Sequence, residues 1–147
     1  MIRMARPDSR PARRRAAAAV ELALVLPLLI TLVLACVDFG RFAYMYFAVI
    51  NAARAGAGIA SNTPFSAGSL INWNQAARQA AVDEIASQTS FDASRLTVDT
   101  PVVTVDTTTK YRAVMIRVTY RFETIVAWPL LPTQITLVGR ATMRLVR

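Results

Sequence analysis

Residues 13–41 read RRRAAAAVELALVLPLLITLVLACVDFGR, and this stretch sets the organisation of the whole chain. Its apolar run, Ala16–Val37, has 22 residues and one charged side chain, Glu21. At about 1.5 Å per residue, a helix of this length spans about 33 Å, close to the ~30 Å of hydrocarbon in a bilayer. A helix that is apolar on every face is typical of a membrane span or of the core of a large protein, and not of a small soluble domain. The run therefore predicts a transmembrane helix, kinked or loosened at Pro27.

The basic residues are concentrated in front of this run. The chain has 147 residues and a net charge of +8, from 17 Lys and Arg against 9 Asp and Glu. Six arginines and one acid precede residue 16. The positive-inside rule keeps that end in the cytoplasm and places everything after Asp38 across the membrane. Nucleic-acid-binding domains carry their charge on a folded face with a recognisable motif, so we expect no nucleic-acid partner.

The composition also excludes most catalytic and metal sites. The chain has no His and a single Cys, so it lacks the usual nucleophile triads, His-based metal sites and internal disulfides. Asp83 and Glu84 are neighbours on a predicted helix, where adjacent side chains point about 100° apart and do not form an acid–base pair. We therefore predict a protein that is not an enzyme, with no cofactor, no metal and no small-molecule substrate.

The junction between the arginines and the apolar run has a specific form. Arg13-Arg14-Arg15, then AAAAVEL at 16–22, then an uninterrupted apolar helix resembles the class III, type IV prepilin-like signal segment. The resemblance implies a cytoplasmic basic leader that a prepilin peptidase removes, and a glutamate at the fifth mature position. Counting back from Glu21 places the processing site between Ala16 and Ala17. The family prefers glycine where this chain has Ala16.

Three further segments extend the likeness over residues 13–60. The segments AVELALVLP at 19–27, VDFGR at 37–41 and NAARAGA at 51–57 look like those of the TadE/TadF-type pseudopilins of the tight-adherence (Flp) pilus. The resemblance implies a pilin-like fold and a minor pseudopilin that helps assemble a pilus used in surface attachment. The implied partners are the prepilin peptidase, other pilins and pseudopilins, the pilus assembly machinery and inner-membrane lipid. The protein would lie in the bacterial inner membrane or be incorporated in the extracellular pilus.

Glu21 has two interpretations. A charged side chain at the bilayer centre costs about 2.5–3.5 kcal/mol, so its partner matters. Cleavage would free an ammonium at Ala17, and one subunit's Glu21 could pair with a neighbour's Ala17 amine to set the subunit register. Alternatively, Glu21 lies near the cytoplasmic headgroups and is neutralised by one of the preceding arginines.

Two other export signals compete with the pilin interpretation. VLAC at 33–36 partly resembles a lipobox, in which Cys36 would be lipidated and become the mature N-terminus. Leu34 is bulky for that motif, and a helical stripe of Phe39, Phe42, Tyr46, Val49, Ile50 and Ala53 continues where a lipoprotein has a flexible tether. The triple arginine also permits a twin-arginine signal. The alternative function is a single-pass envelope protein or lipoprotein whose periplasmic domain binds another envelope component.

The remaining sequence predicts an α+β head. We divide the chain into a cytoplasmic leader 1–16, a transmembrane helix 17–37, a periplasmic continuation 38–60 whose end frays at Gly56 and Gly58, and a head 61–147. Ile71–Gln88 predicts a second helix with Ile71, Ala76, Ala80, Ala81 and Ile85 on one face. Period-two patterns predict an antiparallel sheet of about three strands, at Leu96–Val105 (weakened by Pro101), Tyr111–Phe122 and Gln134–Val146.

Two surface features of the head are candidate contacts. The connection VAWPLLP at 126–132 is unusually apolar, so we predict a subunit or membrane contact through Trp128, Leu130 and Leu131, although burial under a helix is also compatible. The predicted strands place four arginines on the outward face of the sheet, where we expect a solvated basic face. These are Arg117, Arg121, Arg140 and Arg144.

Overall fold

The computed structural model describes residues 10–64, 70–88, 91–105, 107, 110–129 and 131–145. In chain order its elements are helix α1 (Arg10–Asn62), helix α2 (Leu70–Ala86), a short 3₁₀ turn (Ala93–Arg95), and strands β1 (Leu96–Val98), β2 (Val102–Val105), β3 (Arg112–Glu123) and β4 (Gln134–Arg144). The described residues divide into two compact units between Phe39 and Gly40. The predicted α+β class, with a long apolar helix, a second helix and a small antiparallel sheet, is confirmed.

The first unit is the apolar part of α1. The helix passes through Pro27 without ending, and the Thr31 hydroxyl donates a 2.8 Å hydrogen bond to the Pro27 carbonyl oxygen. This helix is long and apolar enough to cross a membrane, and its apolar window is not buried by the rest of the protein. Most of the predicted leader, residues 1–9, lies outside the described residues.

The sheet of the second unit is built around β3. Strand β4 pairs antiparallel with β3 along its length, with Ile116 opposite Ala141 and Phe122 opposite Ile135. Strands β1 and β2 both pair with the other edge of β3. In β3 the buried residues are Val114, Ile116, Val118, Tyr120 and Phe122. The predicted alternation, and with it one apolar face, is confirmed.

The strand predicted over Leu96–Val105 is two strands. Val98 lies opposite Val118 in β1, whereas Val102 lies opposite Met115 in β2, so the register shifts by one residue between them. The extra residue lies in the Asp99–Pro101 segment. Proline has no N–H to donate to a ladder, so pairing breaks there and resumes one residue later. The sheet therefore has four strands rather than about three.

The second half of α1 and α2 cover the apolar face of the sheet. Both helices contribute small buried residues, including Ala52, Ala53, Ala57, Ala77 and Ala81, which let the backbones approach closely. Gly56 does not fray the helix, because it lies in this packed interface. A Cβ at Gly56 would be 2.8 Å from the carbonyl oxygen of Ala77 and 3.1 Å from the Ala81 Cβ.

The predicted face of α2 is confirmed in part. Ala81 and Ile85 are buried as predicted, but the other buried residues of α2 are Trp73 and Ala77, and Ile71 is 74% exposed. The indole of Trp73 is buried, and its Nε1–H donates a 3.0 Å hydrogen bond to the Ala60 carbonyl oxygen near the end of α1. Burying this large side chain and satisfying its N–H turns α2 so that Ile71 faces outward.

Candidate functional site: the N-terminal helix and the β3–β4 loop

The predicted processing and assembly residues lie on the exposed surface of α1. Ala16, Ala17 and Glu21 are all helical and exposed. Ala17 and Glu21 are four residues apart, so they lie on the same helix face about 6 Å apart along the axis. Arg14, seven residues before Glu21, lies on that face as well. The structure thus presents Glu21 on the outside of the helix, where a neighbouring molecule or lipid can reach it.

The surface around Glu21 is apolar and largely exposed. Large side chains that are exposed along this part of α1 include Leu22, Leu24, Leu28, Leu32, Val33 and Phe39. The lone cysteine, Cys36, is also exposed on it and is not in a disulfide. Apolar patches of this extent on a protein surface mark membrane or protein contacts.

Aromatic side chains follow the apolar run. Phe39, Tyr44, Tyr46 and Phe47 are exposed, as expected for residues that anchor a helix at a membrane interface. Phe42 instead packs into the head. Its ring meets the Phe122 ring edge to face at 5.7 Å between centroids.

The β3–β4 loop, residues 124–133, is closed at its base by hydrogen bonds. The Thr124 N–H donates to the Thr133 carbonyl oxygen at 3.1 Å, and the Gln134 side-chain amide donates to Glu123 Oε1 at 3.1 Å. Within the loop, the Leu131 N–H donates to the Trp128 carbonyl oxygen at 3.3 Å. These bonds give an apolar loop a defined shape.

The loop exposes apolar side chains, as its sequence suggested. Leu131 is 59% exposed and Trp128 is half-buried. Leu130, the third predicted contact residue, lies outside the described residues. The sequence analysis missed Ile125, which is 62% exposed. Its position could have indicated it, because the period-two pattern of β3 buries even-numbered residues, and position 125 continues the outward-facing odd-numbered set.

A cleft of about 430 Å³ lies beside the base of the loop. Arg95 bridges two carboxylates in it, with Nε 3.0 Å from Asp92 Oδ2 and Nη2 2.8 Å from Glu123 Oε2. Hydrogen bonds from the Ser94 hydroxyl and N–H, together with the Arg95 charge, lower the pKa of Asp92 below its ordinary value. Arg41 borders the same cleft, with its Cζ 5.5 Å from the centroid of the Phe122 ring. In the part of the chain that the structure describes, no three His, Cys, Asp or Glu side chains are grouped to hold a metal ion.

The outward face of the sheet carries the four predicted arginines. Arg117 and Arg140 are directly opposite each other on β3 and β4. Arg117 Nε lies 3.9 Å from Asp99 Oδ2, and the Arg144 guanidinium lies 3.2 Å from the centroid of the Tyr111 ring. The sheet pairing therefore brings like charges together, and the Asp99 carboxylate partly offsets them.

Comparison with known proteins concerns the helical segment. The family model described as TadE-like protein matches residues 16–58, which include Ala16 and Ala17, where processing is predicted, Glu21, and Gly56 at the packed interface with α2. No curated protein matches the chain, and no solved structure matches it. The match confirms the resemblance predicted from the sequence. It supports the interpretation of the chain as a component associated with the tight-adherence pilus. Over residues 16–58, this chain is similar to the TadE-like family.

Proposed function

We propose that this protein is a non-enzymatic minor pseudopilin that helps assemble a tight-adherence pilus used in surface attachment. The observation that carries the proposal is the TadE-like match over a continuous, exposed apolar helix that includes Glu21. A helix of this kind serves as a membrane anchor and as a packing surface for other pilins. Its partners would be other pilins and pseudopilins and the pilus assembly machinery.

The proposed topology follows from charge and hydropathy. Residues 17–37 span the inner membrane, the basic leader stays in the cytoplasm, and the head lies in the periplasm. A prepilin peptidase removes the leader between Ala16 and Ala17. The mature protein then either stays at the inner membrane as an assembly factor or enters the filament.

Glu21 is the proposed register residue. Cleavage places a positive ammonium on Ala17, and the helix holds it one turn before Glu21 on the same face. When a second subunit packs alongside in hydrocarbon, an isolated carboxylate costs more free energy than a paired one. The alignment in which one subunit's Glu21 meets its neighbour's Ala17 amine is therefore favoured over shifted alignments.

The first test is the intact mass and N-terminal residue of the protein extracted from membranes of its own host. We expect a mature chain that begins at Ala17. Ala16→Gly, which introduces the residue that the family prefers, should be processed at least as completely, and Ala18→Gly serves as the control outside the scissile bond. An uncut wild-type chain would contradict the processing step.

The second test concerns Glu21 itself. Glu21→Ala and the uncharged isostere Glu21→Gln should both be processed and inserted, yet should fail to enter the pilus assembly complex. Thr31→Ala, a change at another polar position of the same run, is the control. Normal pilus formation with Glu21→Ala would refute the register role.

The same mass measurement separates the alternative function. A chain that begins at a lipidated Cys36 would indicate a lipoprotein whose periplasmic domain binds another envelope component. The helix continues without interruption from Cys36 to Asn62, so the chain directly after the cysteine is not a flexible tether. This continuity favours the pseudopilin.

A further inference from the structure

The direction of β3 relative to the second half of α1 determines where the β3–β4 loop emerges. Residues later in α1 contact positions of the sheet that lie progressively nearer the start of β3. The contacts are Phe42 with Phe122, with ring centroids 5.7 Å apart, then Val49 with Gly139, and finally Ser61 with Met143, whose Oγ and Sδ are 4.0 Å apart. In the sheet, Gly139 pairs with Val118 and Met143 with Val114. Strand β3 therefore runs antiparallel to α1, and the loop after Glu123 leaves the head beside Arg41 and Phe42.

Arg41 is four residues after Val37, the last residue of the apolar run. Four residues of chain span at most about 14 Å in any conformation, so chain connectivity alone keeps Arg41 near the end of the anchor. The opposite end of the head contains Ala60 and Trp73, about 29 Å farther along the helix axis.

The loop has the chemistry of a membrane-interface contact. Ile125 and Leu131 are 62% and 59% exposed, and Trp128 lies half-buried between them in the chain. Exposed aliphatic side chains favour hydrocarbon, while tryptophan is enriched at the level of the headgroups. Unpaired backbone N–H and C=O groups are costly in lipid. The backbone hydrogen bond between Thr124 and Thr133 pairs such groups at the base of the loop.

We propose that Ile125, Trp128 and Leu131 form a second membrane contact, which lies in the periplasmic interface of the bilayer that α1 spans. The contact would hold the head in one orientation against the membrane before assembly. Extraction of the helix into a filament would then expose these side chains. The inference rests on the membrane-anchoring part of the proposed function and is independent of the pilus role.

The test uses the full chain with a spin label at single cysteines, reconstituted in vesicles of phosphatidylethanolamine and phosphatidylglycerol. Ile125→Cys and Leu131→Cys, both in a Cys36→Ser background, report on the loop. Ile71→Cys is the matched control, because Ile71 is an equally apolar and 74% exposed side chain at the opposite end of the head. The wild-type chain labelled at Cys36 reports separately on the anchor. Each label is measured for accessibility to oxygen, which enters hydrocarbon, and to a water-soluble nickel chelate.

We expect the ratio of oxygen to nickel accessibility at positions 125 and 131 to be severalfold higher than at position 71. Equal ratios at all three positions, with Cys36 in the bilayer, would overturn the second contact and leave the anchor standing. A water-exposed Cys36 label would overturn both. Protection of the loop that appears only at high protein-to-lipid ratio would indicate a second copy of the chain and would also overturn the proposal.

A second measurement, tryptophan fluorescence, needs no substitution in the loop. In the unmodified chain, brominated lipids should quench Trp128 but not Trp73, which is 3% exposed in the core. Trp128→Phe should remove the quenched component. Unchanged fluorescence in brominated vesicles would contradict the inference even if a labelled variant failed to fold.

Discussion

The backbone of Val49 occupies the space that a side chain at Gly139 would need. A Cβ at Gly139 would lie 2.6 Å from the Val49 carbonyl oxygen and 2.8 Å from its carbonyl carbon. Helix α1 therefore rests directly on β4 at this point, with no side chain between the two backbones. The close approach lets the helix cover the apolar face of the sheet across its middle.

We expect Gly139→Ala to destabilise the head by about 1–3 kcal/mol, the usual cost of overpacking, because the obstructing atoms belong to backbone and cannot rotate away. Chemical denaturation of the detergent-solubilised full chain, followed by tryptophan fluorescence, would measure the change. Gly40→Ala is the control. A Cβ there meets nothing within 4 Å, so the variant should be as stable as the wild type or more so.

Gly56 and Gly58 should respond in opposite directions to the same substitution. Gly56→Ala places a Cβ 2.8 Å from the Ala77 carbonyl oxygen and should cost about 1–3 kcal/mol by separating α1 from α2. Gly58→Ala meets only the Met143 sulfur at 4.0 Å, so it should gain about 0.5–1 kcal/mol from helix propensity. Melting temperatures of the two variants, measured in the same detergent, would show the contrast. Equal shifts would mean that the α1–α2 interface is looser than described.

The stability contributed by Asp92 should depend on pH. Its pKa in the folded state is lowered below 3.8, with the Ser94 hydrogen bonds as the largest cause. A carboxyl with a depressed folded pKa stabilises the protein fully above its unfolded pKa, and this contribution disappears as the pH falls through the folded pKa. The difference in melting temperature between the wild type and Asp92→Asn should therefore be present at neutral pH and shrink below pH 3.8. In Ser94→Ala, NMR titration should find the Asp92 pKa moved back upward.

The opposed arginines on the outward sheet face should repel each other. Arg140→Thr removes one member of the Arg117–Arg140 pair and should stabilise the sheet by about 0.2–1 kcal/mol, more at low salt than at high salt. Asp99→Asn removes the carboxylate 3.9 Å from Arg117 and should have the opposite sign. Urea titrations at two salt concentrations would measure both. A destabilising Arg140→Thr would show that this arginine makes a favourable contact that outweighs the repulsion.

The α+β class, the apolar helix and the faces of β3 and β4 follow from local pattern. Hydropathy over residues 16–37 and strict alternation over residues 113–122 are each imposed by the environment of one element, so they can be read along the chain. The TadE-like match rests on the same local information, and so do the predicted roles of Ala16, Ala17 and Glu21. The predicted contact at Trp128 and Leu131 depended only on their being apolar in a turn.

Other properties required contacts between distant residues. Trp73 of α2 is buried and Ile71 is not, because the Trp73 indole N–H donates a hydrogen bond to a carbonyl oxygen 13 residues earlier in the chain. Nothing in the sequence distinguishes Gly139 from any other glycine in a strand. Only the packing of α1 shows why a side chain does not fit there. The direction of β3 against α1, which brings the apolar loop beside Arg41 and Phe42, is likewise set by long-range pairing. Local sequence preferences do not specify such pairings, because each depends on the summed packing of elements that are far apart in the chain.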